Sequence, residues 1–299
     1  MLNKMIGRIF AVSACISGFF LAAAPIACAH HAEDAPGMTE MPMVKPEGPV
    51  VVLKTDPENI AAGFPEAITI SIRDSAGKPE QELTIMHDRI MHVVIASRDF
   101  TVFSHIHPED FGPVTPAMKE KAQFLVRYAF PKAGSYIVGI DFAAKDQAYS
   151  KYIIVNVAGD LPMGAPIKDF SRNKKFGAYD VSLKAVSEVL AAGKEMTLTY
   201  QFSKDGAPVT DLEPYLSATM HASVISADLD NFIHEHGLVP GMESMGMHGH
   251  HMHDMSVPEK FGPEIRLSVV FPSKGIYEIF GEVKHKGKII LTQFLVRVE

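Results

Sequence analysis

Cysteine is nearly missing from this chain: there are two in 299 residues, Cys15 and Cys28, both in the opening stretch MLNKMIGRIFAVSACISGFFLAAAPIACAHHAED. That stretch has a basic start at Lys4 and Arg8, an apolar run from Ile9 to Ala24, then Pro25 and the small-residue pattern Ala27-Cys28-Ala29. It reads as a secretory signal over residues 1–29 rather than a membrane span. Cleavage after Ala29 makes His30 the first exported residue and removes both cysteines. The alternative is a lipoprotein acylated on Cys28, against which stands Pro25, where such signals usually carry Leu. Either route predicts a periplasmic or secreted protein with no membrane span in the exported chain. Without cysteine, disulfide staples, zinc ribbons, iron–sulfur clusters and thiolate-ligated blue copper are excluded.

Basic charge is also scarce. Once Lys4 and Arg8 are removed, 26 of the 28 basic residues remain against 35 acidic ones, which excludes nucleic acid as the expected partner. No convincing helical period of more than two turns follows the signal. What the chain has instead is internal repetition. LKTDPENIAAGFPEAITI (53–70) aligns with LKAVSEVLAAGKEMTLTY (183–200) at an offset of 130, and FPKAGSY (130–136) with FPSKGIY (271–277) at an offset of 141. Between them, MHVVIASRDFTVFSHIH (91–107) aligns without a gap with MHASVISADLDNFIHEH (220–236) at an offset of 129.

Each copy runs as short alternating segments, such as AITISI, QFLVRYAF and KYIIVNV, separated by Gly, Pro and Asp turns. This predicts an all-β chain of two tandem immunoglobulin-like antiparallel β-sandwich domains. The boundaries expected are a polar tail over 30–46, repeat 1 over 47–158, a linker over 159–176 and repeat 2 over 177–299. The second copy carries 12 extra residues, matching the length of MGMHGHHMHDMS (245–256), within a Met/His-rich insertion spanning 242–256.

The pattern H-x12-H-x-H occurs twice, as His92, His105, His107 and as His221, His234, His236. If Arg98–Thr101 forms a four-residue turn, paired positions in the hairpin sum to 199 and His92 faces His107. Because strand side chains alternate, His105 then shares their face, and three imidazoles converge at the open end of the hairpin, within reach of one ion. The same arithmetic applies to the second copy, where the shared face carries Ile225 and Phe232, which places the imidazoles at the rim of an apolar core. Whether the two trios act alone or share an ion stays open. Met91 and Met220 point to the other face by parity, as core residues, with axial thioether ligation as the alternative. Asp99 and Asp228 read as turn formers. His87, replaced by Leu216 in the second copy, is not counted as a ligand.

The insertion adds Met242, Met245, Met247, His248, His250, His251, Met252, His253 and Met255 as candidate ligands, and the tail adds His30, whose free amine and ring together could chelate Cu(II). Thioethers are soft donors that favour Cu(I), whereas imidazoles accept Cu(II) or Zn(II).

The stretches MHDRIMHVVIASRDFTVFSHIHPE and LEPYLSATMHASVISADLDNFIHEH resemble the histidine hairpin of exported YtkA-like and FixH-like β-sandwich domains, often found beside metal-handling proteins. The second copy departs from the first in having Gly237 where the first has Pro108. The resemblance implies the sandwich fold more than an activity. The function expected is an exported copper-binding protein, a carrier or sequestering agent, with zinc as the other candidate metal and another periplasmic metal-handling protein as its partner. It is expected not to be an enzyme, since no nucleophile or general base accompanies the histidines. The alternatives are a copper- or zinc-dependent enzyme and a structural tandem sandwich with packing histidines.

Overall fold

The computed structural model describes residues 48–160, 168–187, 189–242 and 257–299. In the first repeat the strands are β1 (Val50–Asp56), β2 (Pro65–Arg73), β3 (Leu83–Thr84), β4 (Met91–Ser97), β5 (Phe103–Ile106), β6 (Gln123–Ala129), β7 (Gly134–Ala144) and β8 (Gln147–Val157). A 3-10 turn, Pro108–Phe111, and a six-residue helix, Pro116–Lys121, lie between β5 and β6. In the second repeat they are β9 (Asn173–Phe176), β10 (Tyr179–Ala185), β11 (Glu195–Lys204), β12 (Ala207–Pro208), β13 (His221–Ser226), β14 (Phe232–His236), β15 (Glu264–Val270), β16 (Gly275–His285) and β17 (Lys288–Val298).

All ladders joining these strands are antiparallel, and each repeat closes two sheets around a core. In repeat 1, β1-β2-β6 faces the sheet ordered β3-β7-β4-β5, with β8 on the far side of β7. In repeat 2, β12-β11-β10-β9 with β15 on β11 faces β14-β13-β16-β17. The chain is a pair of immunoglobulin-like β-sandwiches. β9 falls within the stretch read from sequence as linker, and pairs with β10 from Tyr179↔Phe176 to Ser182↔Asn173.

Strands such as β2 and β11 alternate between buried and half-exposed positions, as expected of a sheet with one face on a core. β4 and β13 do not: every residue in each is buried. One face of each packs into its own sandwich, Val93 and Ile95 with Ile68 and Phe124, and Ala222 and Val224 with Leu198 and Phe294. The other face meets the opposite repeat in a third apolar cluster, in which Val94, Ala96 and Ile137 of the first repeat pack with Ile225, Phe232, Phe280 and Leu295 of the second. Residues 45–299 accordingly form one compact unit.

The two repeats interlock here without identical contacts. Phe103 stacks on Phe280 with ring centroids 4.2 Å apart. Its repeat-2 counterpart, Phe232, lies instead on the backbone of Gly139, where an added Cβ would come within 2.3 Å of its ring. Gly139 therefore leaves room for the ring rather than serving a turn.

Candidate metal centre

The hairpin registers decide where the imidazoles go. In repeat 1, Val93 pairs with Ile106 and Val94 with His105, a register that carried one step further sets His92 across from His107. In repeat 2, His221 pairs directly with His236. The turn is the four-residue loop the spacing requires. The Ser97 amide donates to the Val102 carbonyl, Phe100 takes a left-handed conformation at φ 57°, and the Asp99 carboxylate accepts from the Ser97 hydroxyl and the Thr101 amide. Ser226, Asp228 and Leu229, with φ 68°, repeat the arrangement.

The face the histidines share lies elsewhere than the alternation of the strands suggests. That face is not the rim of the hairpin's own core: it is the surface on which the two sandwiches meet, because Ile225 and Phe232 belong to the cluster between repeats. The two trios therefore approach each other. Ring centroids of His92 and His221 are 5.2 Å apart and those of His105 and His234 5.3 Å. One potential ligand atom from each of His92, His105, His221 and His234 lies within 4.8 Å of the other three. Four imidazoles bound at about 2.0–2.1 Å around one ion would hold neighbouring nitrogens roughly 3 Å apart. His92 Nδ1 and His105 Nε2 are 3.0 Å apart, and His221 Nδ1 and His234 Nε2 3.3 Å.

The outward ring nitrogens of His92, His105, His107 and His221 are anchored, and the anchors settle the tautomers of His92, His107 and His221. His92 Nε2 faces the Met86 carbonyl at 3.2 Å and His221 Nε2 the Tyr215 carbonyl at 3.1 Å. A carbonyl only accepts, so those nitrogens carry the hydrogens and both Nδ1 atoms present lone pairs inward. His105 Nδ1 lies 2.5 Å from Glu282 Oε2, a contact made across the repeats. His107 donates its backbone amide and its Nδ1–H to Asp110 Oδ2, leaving Nε2 3.2 Å from His105 Nε2. Without an ion, His105 Nε2–H and His234 Nε2–H can donate to the lone pairs of His92 and His221 Nδ1; with those hydrogens moved or lost, the same nitrogens turn lone pairs to a shared centre. The residues fit a metal ion.

Burial is the first cause that lowers each of these imidazoles below its ordinary 6.5. His92, His105, His221 and His236 lie well below it, helped by neighbouring imidazoles, and His234 is pushed down to about 3. His107 is lowered too, against the opposing pull of Asp110. All six are held as neutral rings, and the four of the central group can ligate in that form. Burial also pushes Glu282 up to about 8, and a cation at the centre would favour its charged form.

His107 flanks the four on the repeat-1 side and His236 on the repeat-2 side, with centroids 5.0 Å from His92 and 4.7 Å from His221 respectively. Met91 and Met220 are packed into the two sandwich cores and offer the centre no thioether. Met242 lies against the second core. Met245, Met247, His248, His250, His251, Met252, His253, Met255 and His30 lie outside the described residues. Gly237 differs from Pro108 for a packing reason: a Cβ there would come within 2.5 Å of Ile265, whereas Pro108 opens the 3-10 turn that carries Asp110.

Sequence reasoning set aside His87, which stacks on His236 with centroids 3.8 Å apart and lies 5.6 Å from His221. It occupies a two-residue turn with Asp88, at φ 49° and 64°, closed by reciprocal backbone bonds between Met86 and Arg89. Leu216 and Ser217 form the equivalent turn, and Ser217 Oγ donates to Asp88 Oδ2 at 2.8 Å. The turn-to-turn contact could not be read from either repeat alone.

The fold and this cluster define a tandem β-sandwich whose histidine centre is built by both repeats at once. The chain belongs to the family described as Domain of unknown function (DUF8832), whose model matches residues 45–159 and again 174–299. No curated protein matches the chain. Among solved structures it is similar to the Yersinia pseudotuberculosis adhesin InvE (13% identity, 83% of this chain, 59% of that one, TM-score 0.22). It is also similar to FdeC, an Escherichia coli adhesin (10% identity, 83% and 64%, TM-score 0.21), and to domains 4 and 5 of the S-layer protein SbsC (11% identity, 83% and 97%, TM-score 0.21). The chain spans about three fifths of the length of InvE. At these scores the likeness carries no argument about function.

Proposed function

We propose that this protein is an exported copper-binding protein, a carrier or sequestering agent, that holds one ion between its two repeats. The observation that carries the reading is the convergence of His92, His105, His221 and His234 within 4.8 Å, with the outward nitrogens of His92, His105 and His221 anchored by Met86, Glu282 and Tyr215. An all-imidazole set suits Cu(II) or Zn(II), and the Met/His-rich stretch 242–256 suits Cu(I) as well, so copper accounts for both parts of the chain. Burial favours holding an ion over turnover: His92 and His221 are 0% and 1% exposed, whereas a catalytic metal keeps a position open to substrate.

The test is a titration of the exported chain with Cu(II), Zn(II) and Cu(I), each against a competing chelator, in wild type and in the variant with His92, His105, His221 and His234 all replaced by Ala. Loss of one tightly bound Cu(II) in the variant supports the reading. Equal Cu(II) binding by both proteins would leave the cluster as a packing device and overturn it.

A further inference from the structure

The four-imidazole centre is buried, so an ion needs a way in. The two ends of the histidine cluster differ. At the repeat-1 end His107 is 2% exposed and its ring and amide are tied to Asp110 on the 3-10 turn. At the repeat-2 end His236 and His87 are both partly exposed, and one comes from each repeat. Among the described residues, the buried His236 Nε2 has no hydrogen-bond partner. The His87 ring stacks upon it, on a turn held in place by the bond from Ser217 to Asp88.

From this pair the imidazoles continue inward without a gap. His236 is 4.7 Å from His221 and 5.1 Å from His234, and His87 is 5.6 Å from His221, all between ring centroids. Neither His87 nor His236 belongs to the group of four whose ligand atoms lie within mutual reach, so they are not simultaneous ligands of the central ion. With metal–nitrogen bonds of about 2.0–2.1 Å, passage from one ring to the next takes a small turn of the imidazoles and no rearrangement of the strands that carry them.

We infer that His87 and His236 are the entry ligands through which a divalent ion reaches and leaves the centre. The inference rests on reading the centre as a metal site. It explains why the repeats differ at one turn: His87 stands in the same left-handed conformation (φ 49°) that Leu216 adopts in the other repeat (φ 47°), so the fold needs no histidine there.

The experiment uses the metal-free exported chain and Cu(II) in a stopped-flow instrument, reading association, release into excess chelator and final stoichiometry. The variants are His87→Leu, which installs the residue the second repeat already accommodates, and His236→Gln, with circular dichroism as the folding control. Each should slow association and release alike by about tenfold, with affinity and stoichiometry kept. Unchanged rates with binding intact would overturn the inference, as would weakened affinity at unchanged association rate, which would make the pair ordinary ligands. If wild type itself binds no Cu(II) at His92 and His221, the parent reading fails and the entry route falls with it, a result distinct from either of these.

Discussion

His92 and His221 hold equivalent places in the two repeats, 129 residues apart, and their rings lie 5.2 Å from each other across the contact between sandwiches. Each is the first histidine of its hairpin, each donates Nε2–H to a backbone carbonyl one hairpin turn upstream, and each turns Nδ1 toward the second histidine of its own hairpin, His105 or His234. Duplication has thus put two half-sites face to face, and neither repeat holds the four-ligand set alone.

Stoichiometry follows from that relationship. One ion should bind per chain at the centre, and His92→Ala or His221→Ala should each weaken it by more than about 100-fold, since even partners of ligands cost about 10–100-fold. Two independent hairpin sites would instead show half the metal retained in each single variant. Chelator competition, read as bound metal per chain, separates the outcomes.

Glu282 offers a finer test because it touches His105 and comes from the other repeat. Glu282→Gln keeps the size but removes the charge-bearing acceptor, and it should lower Cu(II) affinity by about 10–100-fold while leaving one ion bound at saturation. An unchanged affinity would mean that the contact does not orient the ring.

Packing between repeats should be coupled to the centre as well. Phe232→Ala removes a buried ring from the shared cluster and should cost about 3 kcal/mol, with metal affinity falling as the two trios lose their alignment. Gly139→Ala should also destabilise, because its Cβ would press on the Phe232 ring. Combining Gly139→Ala with Phe232→Leu should cost less than the two changes summed, measured by denaturant unfolding. Strict additivity would argue against the contact.

Much of this was legible in the sequence, and the rest was hidden for physical reasons. The repeat, the all-β class and the hairpin registers follow from local pattern, because alternation and turn length act over a few residues. Which way the histidine face points is a long-range matter. The signal was present in β4, whose segment MHVVIAS is nearly continuous in apolar residues as strands buried on both faces are, but that pattern names no partner. His87 carries no repeat signal because the other copy has Leu216, yet a residue in only one repeat can still serve a site that both build.

The metal-free protein should have an uncommon pH profile. The folded-state pKa values of His92, His105, His107, His221, His234 and His236 lie below the unfolded 6.5, so their contribution to stability is present above 6.5 and is lost as pH falls, toward about 3 for His234. Four carboxyls run the other way, Asp141, Glu278 and Glu282 being buried and Glu235 half-buried. Burial raises Asp141, Glu235 and Glu278 to about 7 and Glu282 to about 8, so their contribution is present below the unfolded 3.8 to 4.5 and is lost as pH rises through 7 to 8. Between about 4.5 and 6.5 the two sets oppose one another; below that window the histidines act alone, and above it the carboxyls do. Tm of the metal-free chain should therefore peak inside the window and fall on both sides, and bound Cu(II) should raise Tm most above the window, where the cation also favours the charged form of Glu282. Thermal melts from pH 3.5 to 8.5, with and without metal, check this. A metal-free Tm that climbs steadily to pH 8 would show that the carboxyls are not held neutral in the fold.

Copper's two oxidation states provide the final prediction, because the two parts of the chain offer different donors. The centre supplies imidazole nitrogen alone, with Met91 and Met220 committed to the sandwich cores, whereas Met245, Met247, Met252 and Met255 supply thioethers. Replacing those four by Leu keeps the length and apolar character of the stretch while removing sulfur. Cu(I) bound per chain, or its affinity, should drop, while Cu(II) and Zn(II) at the centre should hold to within about twofold, since thioethers contribute little to either beside four imidazoles. The reverse replacement, His92→Ala with the methionines intact, should spare Cu(I) and remove Cu(II). Parallel loss of both ions in either variant would mean that the stretch and the centre form one site, and the division of labour between sulfur and nitrogen would be wrong.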